Sequence, residues 1–293
     1  MVFGRLLTAM VTPFNEKLEV DLKKAQELAE YLIANGNDGI VVAGTTGESP
    51  TLSSLEKKSL FKAVKDVVGN KGQVIAGTGS YSTSESVELS LNAEEIGVDG
   101  IMLVVPYYNK PPQEALYLHF KTIAESTKLP VLLYNVPGRT STNMQPETVG
   151  RLSQISNIKA IKEAAGDMDQ VSSLKNLVPS DFLIYSGDDS LTLPMLAIGA
   201  YGIISVAGHV VGNEIKQMIE DFLAGNIQKA QQLHSQLFPV FKTMFITTNP
   251  IPVKTAVNLM GIQVGGMRLP MIEATKDQEE KIKALLQKLD KIK

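Results

Sequence analysis

The 293-residue chain has no cysteine, few histidines and no excess of positive charge. Without cysteine it can form neither a disulfide framework nor a thiolate metal site, which fits a reducing compartment such as the cytoplasm. The formal net charge of −3 argues against a general nucleic-acid-binding protein, because such proteins are usually basic. An anionic small substrate is still allowed, since local fields decide its binding.

Signal-like and membrane-spanning segments are also missing. The run Met1–Phe14 has neither the basic start nor the long apolar stretch of a signal peptide, and it is not transit-like. The uncharged stretch Leu191–His209 is long enough to span a membrane, but one proline and three glycines interrupt it. We interpret it as a buried helix, Leu191–Ile198, followed by a strand. We therefore expect a cytoplasmic protein with no membrane partner.

What the sequence does contain is an alternation of short apolar runs and amphipathic helical segments. The apolar, β-branched runs are Leu6–Val11, Gly39–Ala43, Gln73–Gly77, Gly100–Val105, Pro130–Tyr134, Ile158–Ile161, Phe182–Tyr185 and Gly202–Val206. Helical periodicity marks segments such as Asp21–Ala34, Ser53–Val68, Ser84–Ile96 and Gln113–Glu125. Asp21 and a Ser53–Glu56 capping box predict the first two helix starts, and Gly97 predicts a helix end.

Eight apolar runs of this kind predict an α/β fold, a (β/α)8 TIM barrel with a C-terminal helical extension. The competing architecture is a doubly wound open sheet, which usually has fewer strands and a Gly-x-Gly-x-x-Gly turn, absent here. After about residue 224 only helical patterns remain, at Ile227–Phe245, Pro252–Met260 and Asp277–Ile292. We predict a catalytic barrel over residues 1–224 and a C-terminal α-helical domain over residues 225–293.

Lys162 lies in the sixth apolar run. Ile158, Ala160, Lys162 and Ala164 share one parity, so if the small apolar residues face inward, Lys162 does too. A lysine in a low-dielectric interior loses basicity and becomes a neutral amine able to attack a carbonyl. The alternative is a strand-end lysine whose stem lies along the surface with its ammonium in water. Taken alone, the segment favours the alternative.

The barrel prediction favours the inward-facing interpretation of Lys162 instead, because active sites of such barrels lie at the carboxyl ends of the strands. This rule brings hydroxyls, phenols and cations to one rim: Thr45, Thr46, Tyr107, Tyr108, Tyr134, Arg139 and Lys162. The turn at Thr45 and Thr46 could cradle a carboxylate with its N–H groups, or could be only a tight turn.

Two further rim residues have alternative interpretations. Tyr134 is either a core residue with one hydrogen bond or a phenol that shuttles protons to a lysine-derived imine when a neighbour such as Thr45 polarises it. Arg139 is either a solvated charge on a loop or a guanidinium that binds a substrate carboxylate with two parallel hydrogen bonds.

Metal and serine chemistry fit the sequence less well. The three histidines show no metal-ligand spacing, and we interpret Asp189 as a cap on the following helix rather than a cation ligand. No Gly-x-Ser-x-Gly elbow is present. We expect neither a metal nor another cofactor.

Together these residues make the chain resemble the dihydrodipicolinate synthase family of pyruvate-dependent lyases and aldolases. The resemblance runs from Leu7–Phe14 to Arg268–Pro270. It is carried by Gly44–Glu48, Pro106–Pro111, Leu133–Thr140, Ile161–Glu163, Ser186–Asp189 and Asn249–Lys254.

The resemblance implies a Schiff base between Lys162 and pyruvate, whose enamine attacks L-aspartate 4-semialdehyde on the route to diaminopimelate and lysine. It implies proton transfer by Tyr134, which Thr45 links to Tyr108 of a neighbouring subunit. It also implies that Thr45 and Thr46 hold the pyruvate carboxylate and that Arg139 binds the semialdehyde. Backbone groups of Gly187 and Ile204 would line the pocket. Self-association as a homodimer or a dimer of dimers follows from the role of Tyr108.

The chain departs from the family at the site where lysine inhibits many members. Ser49, Glu85 and Tyr107 match that effector site. Ser54 and Lys57 stand where inhibited members have histidines, and Tyr81 stands where they have asparagine. We predict weak or absent inhibition by lysine.

Two other functions remain open at this point. Another Schiff-base aldolase of the superfamily, such as N-acetylneuraminate lyase or a 2-keto-3-deoxy-sugar-acid aldolase, shares the lysine and the strand-five tyrosine. A catalytically inactive barrel that senses a ligand is the second alternative. The Tyr107–Tyr108 pair and Arg139 favour the synthase over another aldolase. Against the inactive barrel stands the intact set of Lys162, Tyr134, Thr45, Tyr108 and Arg139.

Overall fold

The computed structural model describes residues 3–293, whose strands form one closed barrel. All strand pairs are parallel, neighbours in sequence are neighbours in the barrel, and β8 closes on β1. The strands are β1 Leu6–Ala9, β2 Gly39–Val42, β3 Gln73–Gly77, β4 Gly100–Val104, β5 Val131–Asn135, β6 Ile158–Glu163, β7 Leu183–Ser186 and β8 Gly202–Ser205. The predicted (β/α)8 barrel is confirmed.

Twelve α-helices accompany the strands in the described part of the chain. They are α1 Leu22–Ala34, α2 Ser54–Val68, α3 Thr83–Ile96, α4 Gln113–Ser126, α5 Pro137–Thr140, α6 Pro146–Leu152, α7 Met168–Leu177, α8 Thr192–Ala197, α9 Gly208–Leu223, α10 Ile227–Thr243, α11 Ile251–Leu259 and α12 Lys276–Lys288. The last three form the predicted C-terminal extension: α12 packs against α10 and α11, and both of these pack against α9. The division at residue 224 stays a prediction.

The helix ends follow local sequence signals. The Asp21 carboxylate accepts a hydrogen bond from the Lys24 N–H at 3.0 Å, and Ser53 with Glu56 forms the predicted capping box. Gly97 ends α3 in the left-handed conformation. The uncharged stretch after residue 190 divides into α8 and β8 as expected. No helix within residues 3–293 is both long and apolar enough to cross a membrane.

Each strand carries two buried faces, which explains its continuous apolar sequence. One face meets the surrounding helices in an outer core. The other fills the barrel with an interior cluster that includes Leu7, Val41, Ile75, Met102, Leu132, Tyr134, Ala160, Tyr185 and Ile204. A side chain on the inner face is therefore removed from water.

Strand β6 contains an irregularity that corrects the sequence interpretation. Val131 pairs with Ile158, but the next residue, Leu132, pairs with Ala160, so Lys159 is an extra residue in a β-bulge. Ile158 consequently belongs to the outer core, whereas Ala160 belongs to the interior cluster. The predicted common face of Ile158 and Lys162 is therefore wrong at Ile158 and begins at Ala160.

His209, at the start of α9, joins the two strands that close the barrel. Its Nδ1 lies 2.9 Å from the carbonyl of Val206, and its Nε2 accepts from the Val11 N–H at 3.2 Å. The carbonyl requires a proton on Nδ1, and the N–H requires a lone pair on Nε2, so the neutral ring satisfies both. Burial lowers the pKa of His209 to about 4, although the Val206 carbonyl opposes this.

This buried histidine predicts a loss of stability in mild acid. Above its unfolded pKa of about 6.5 the ring is neutral in both states. As the pH falls towards 4 only the unfolded chain takes up the proton, so the free energy of unfolding falls by about 2 kcal/mol between pH 7 and pH 5. In His209→Gln we expect urea-unfolding curves across this range to lose that part of the pH dependence. His234→Gln is the control: burial also lowers the pKa of His234, so this variant should lose only its own contribution and keep the part that His209 provides. An unchanged slope in His209→Gln would contradict the assignment.

Candidate active site

A cavity of about 260 Å³ opens at the carboxyl ends of the strands, where the sequence placed the site. It is lined by Thr45, Tyr107, Tyr134, Arg139 and Asn249, among others. The barrel supplies Tyr134 from the end of β5, the connections after β2 and β4 supply Thr45 and Tyr107, and the short helix α5 supplies Arg139. The predicted convergence of phenols, a hydroxyl and a cation is therefore present within one chain.

Lys162 lies beside Tyr134. The two residues are register partners on β6 and β5, and the Lys162 Nζ lies 4.6 Å from the centroid of the Tyr134 ring. Lys162 is only 5% exposed, which rejects the alternative of a solvated strand-end lysine. Burial lowers the pKa of Lys162 to about 8, opposed by the negative charge of Asp189 and assisted by the positive charge of Arg139. The amine is thus prepared for nucleophilic chemistry near neutral pH.

Asp189 is not the helix cap that the sequence predicted. Asp188 takes that position and accepts from the Ser190 N–H, whereas the Asp189 carboxylate is buried. Its oxygens accept hydrogen bonds from the Ser205 hydroxyl and from the Val206 and Ala207 N–H groups. Burial raises the pKa of Asp189, and these donors oppose the rise. Asp189 thereby joins the β7 and β8 ends and places a carboxylate near Lys162.

Tyr134 is buried to the same degree as Lys162. Burial raises the pKa of its phenol, while the charge of Arg139 and a hydrogen bond with the Thr45 side chain oppose the rise. A phenol that keeps its proton and contacts both an amine and a hydroxyl can pass protons between them.

The turn at residues 44–49 presents unused donors. Its N–H groups at Gly47, Glu48 and Ser49 are bonded to carbonyl groups of the same turn. The N–H groups of Thr45 and Thr46 donate to no acceptor within residues 3–293. Such free N–H groups can bind a carboxylate, as the sequence suggested.

Gly187 lies beside Lys162, and neither Gly187 nor Ile204 is among the residues that line the cavity. A Cβ built on Gly187 would lie 3.1 Å from the Lys162 Cε and 2.6 Å from the Ala164 Cβ, so a side chain there would crowd the amine. Ile204 belongs to the interior cluster with Tyr134. Thr46 is buried, and its hydroxyl accepts from Asn249 Nδ2 at 2.9 Å.

Tyr108 lies apart from these residues within one chain. It is 93% exposed and adopts a φ of +73°, at the tip of the loop after β4. The single chain does not bring it to Thr45. Its neighbour Tyr107 instead lines the cavity.

The predicted effector residues form a group on the same side of the barrel. The rings of Tyr81 and Tyr107 meet edge to face with centroids 5.4 Å apart, and Glu85 accepts from the Ser80 hydroxyl at 2.5 Å. Lys57 is buried, and burial lowers its pKa while the charge of Glu85 opposes this. Ser49 lines the cavity together with Tyr107.

The structure adds functional candidates that sequence reasoning left without a role. Asn249 lines the cavity and contacts Thr46, and Lys254 forms a buried ion pair with Glu48. The sequence signal was Lys254, the one charge within the apolar helix α11. Within residues 3–293 no group of three or more histidine, aspartate or glutamate side chains is placed to hold a metal ion.

Comparisons with known proteins agree with this geometry. A sequence profile of the Dihydrodipicolinate synthetase family matches residues 2–289. The 4-hydroxy-tetrahydrodipicolinate synthase of Desulforamulus reducens is 58% identical over 288 residues, covering 98% of this chain and 97% of the relative.

Solved structures give the same result. A dihydrodipicolinate synthase from Cyanidioschyzon merolae with lysine bound superposes with a TM-score of 0.98 at 44% identity, covering 99% of each chain. The chloride-inhibited dihydrodipicolinate synthase of Acinetobacter baumannii, complexed with pyruvate, superposes with a TM-score of 0.96 at 37% identity, covering 100% of each chain.

The electrostatic role of Asp189 can be tested directly. In Asp189→Asn the negative charge that favours the Lys162 ammonium is lost, so the pKa of Lys162 should fall below 8. Competitive acetylation across a pH series, followed by mass mapping, should show Lys162 labelled several-fold faster at about pH 7 than in the wild type. Asp188, the exposed neighbour of Asp189, provides the control: Asp188→Asn should leave the labelling profile of Lys162 unchanged. Identical profiles for Asp189→Asn and wild type would refute the coupling.

Proposed function

Because the chain belongs to the Dihydrodipicolinate synthetase family and acts as a 4-hydroxy-tetrahydrodipicolinate synthase, we propose that Lys162 forms a Schiff base with pyruvate. The observation that carries this proposal is the buried Lys162 amine beside the Tyr134 phenol. The resulting enamine attacks L-aspartate 4-semialdehyde, in the proposed route to diaminopimelate and lysine.

The lowered pKa makes the first step feasible near neutral pH. With a pKa of about 8, about one Lys162 in ten is a neutral amine at pH 7. At the ordinary value of 10.5 the fraction would be about one in 3,000. The amine adds to the C2 carbonyl of pyruvate, and water leaves to give the imine. Loss of a proton from the pyruvate methyl group gives the enamine that forms the new carbon–carbon bond.

Tyr134 is the proposed carrier of the protons that these steps move. Its position between Lys162 and Thr45 supports the assignment, since both the imine nitrogen and the new alcohol would lie within reach of one phenol. The exposed Tyr108 is proposed to complete the relay from a neighbouring subunit. This role requires a homodimer, either alone or within a dimer of dimers.

Carboxylate recognition is assigned to the two sides of the cavity. The free N–H groups at Thr45 and Thr46 support binding of the pyruvate carboxylate. Arg139 lines the cavity and is an exposed residue, which suits capture of the semialdehyde carboxylate at the entrance. Backbone groups of Gly187 and Ile204 are proposed to enclose the imine. We further propose that the enzyme works in the cytoplasm without a cofactor.

Reduction with borohydride tests the proposal. In the presence of pyruvate, borohydride should add the mass of one reduced pyruvate to Lys162 and to no other residue. Adduct formation should accelerate from pH 7 to pH 9, as the pKa near 8 is crossed and the neutral amine accumulates. Lys162→Arg should give no adduct, whereas Lys159→Arg, on the same strand, should behave like the wild type.

Two outcomes would favour the alternatives. Absence of any adduct in the wild type would leave the ligand-sensing barrel as the explanation. An adduct together with faster turnover of a sugar aldehyde than of L-aspartate 4-semialdehyde would identify a sugar-acid aldolase instead.

Weak inhibition by lysine is a separate prediction. The buried Lys57 cation lies near Glu85, and the Tyr81 ring packs edge to face against Tyr107, so a second ammonium has little room and little net negative charge to bind. Steady-state assays should give half-inhibition only above about 1 mM lysine. In Lys57→His/Tyr81→Asn sensitivity should increase, and Lys58→His is the exposed control. Half-inhibition of the wild type well below this concentration would contradict the prediction.

A further inference from the structure

Lys254 is a buried charge outside the set of residues proposed to contact substrate. It lies in α11, within the segment Asn249–Lys254, and its side chain is fully buried. Its Nζ lies 2.8 Å from the Oε1 of Glu48 and 4.1 Å from the centroid of the Phe14 ring. Burying an ion pair costs desolvation free energy, so its presence in the barrel mouth calls for a physical explanation.

Glu48 belongs to the turn that carries Thr45 and Thr46. It adopts a φ of +55°, a strained conformation for a residue with a side chain, so the turn must be held by external contacts. Its second oxygen accepts from the Arg268 N–H at 3.1 Å, and the Arg268 side chain pairs with Glu56. Both carboxylate oxygens of Glu48 therefore have a hydrogen-bond partner within the protein.

The same segment holds the turn at a second point. Asn249 Nδ2 donates to the Thr46 hydroxyl, and the Asn249 carbonyl accepts from Arg139 Nη2 at 3.4 Å. A third contact comes from Thr12, whose hydroxyl donates to the Gly47 carbonyl at 2.6 Å. The turn is thus tied at Thr46, Gly47 and Glu48, while the Thr45 side chain is left to contact Tyr134.

We propose that the buried Glu48–Lys254 ion pair is a positioning device that holds the Thr45–Thr46 turn where the pyruvate carboxylate binds. The inference rests on the proposed function. Glu48 and Lys254 act through the turn and do not touch the reacting atoms. A turn that already has its binding conformation loses no conformational freedom when the carboxylate binds. The ion pair should therefore affect the affinity for pyruvate and not the chemistry of Lys162.

A double variant separates positioning from stability. Glu48→Gln/Lys254→Met removes both charges together, which avoids leaving one of them buried and unpaired. The pyruvate concentration that gives half-maximal borohydride trapping on Lys162 should rise about tenfold, because a turn that is no longer held must lose conformational freedom when the carboxylate binds. The pH midpoint of trapping, which reports the Lys162 amine, should stay where it is in the wild type.

The matched control is an ion pair at the opposite end of the barrel. Lys65 Nζ lies 2.8 Å from Asp99, which precedes β4. Lys65→Met/Asp99→Asn should lower the melting temperature without changing the half-saturating pyruvate concentration. If the double variant at the site fails to fold, Glu48→Asp replaces it. That variant keeps the charge but shortens the reach, and it should raise half-saturation in the same direction.

The possible results distinguish this inference from the proposed function. A wild type that forms no adduct would overturn the proposed function. A wild type that forms the adduct, beside a folded Glu48 variant with unchanged half-saturation, would overturn the positioning role alone. A raised half-saturating concentration with an unshifted pH midpoint would support it, since a pair that served only stability would change neither quantity.

Discussion

Burial of the Lys162 amine inside the closed barrel is the constraint on which the site depends. A cation in that position loses its hydration, which costs free energy, and two features of the protein reduce this cost. The carboxylate of Asp189 provides partial compensation, and the pKa falls to about 8, so that a fraction of the amine is neutral. In a buried site without Asp189 the pKa of Lys162 would be lower still. In a solvated site the Lys162 amine would stay charged at neutral pH. The interior of the barrel therefore sets the basicity of the Lys162 amine before any substrate arrives.

Around this amine the neighbouring strands contribute complementary groups. Tyr134 enters from β5, and Asp189 enters from the connection after β7. These are the two strands that flank β6. Because Tyr134 pairs in register with Lys162, it cannot move independently of the lysine. Asp189 is held instead by hydrogen bonds from the Ser205 hydroxyl and from the Val206 and Ala207 N–H groups. The connections after the strands have no such constraint, and this difference explains why the turn at Thr45 needs additional ties from Thr12, Asn249 and Lys254.

Sequence patterns predicted the strands and most helices to within about two residues, since periodicity and caps are local signals. They also identified the rim residues, because the barrel rule converts strand ends into positions in space. They failed at Ile158, where a bulge changes the face, and at Asp189, where a distant strand supplies the donors that outweigh helix capping. The partner of Lys254 was equally hidden, because Glu48 lies 206 residues away in the chain. Such contacts are properties of the closed fold.

The bulge at Lys159 also separates two requirements that one regular strand would have to meet together. Ile158 must face the helices to complete the outer core, and Lys162 must face the barrel axis. These positions differ by an even number of residues, so uninterrupted alternation would place both on the same face. The extra residue, Lys159, interrupts the alternation, so Ile158 and Lys162 face opposite sides of the sheet. Selection on packing at the start of the strand can therefore proceed without displacing the reactive amine at its end.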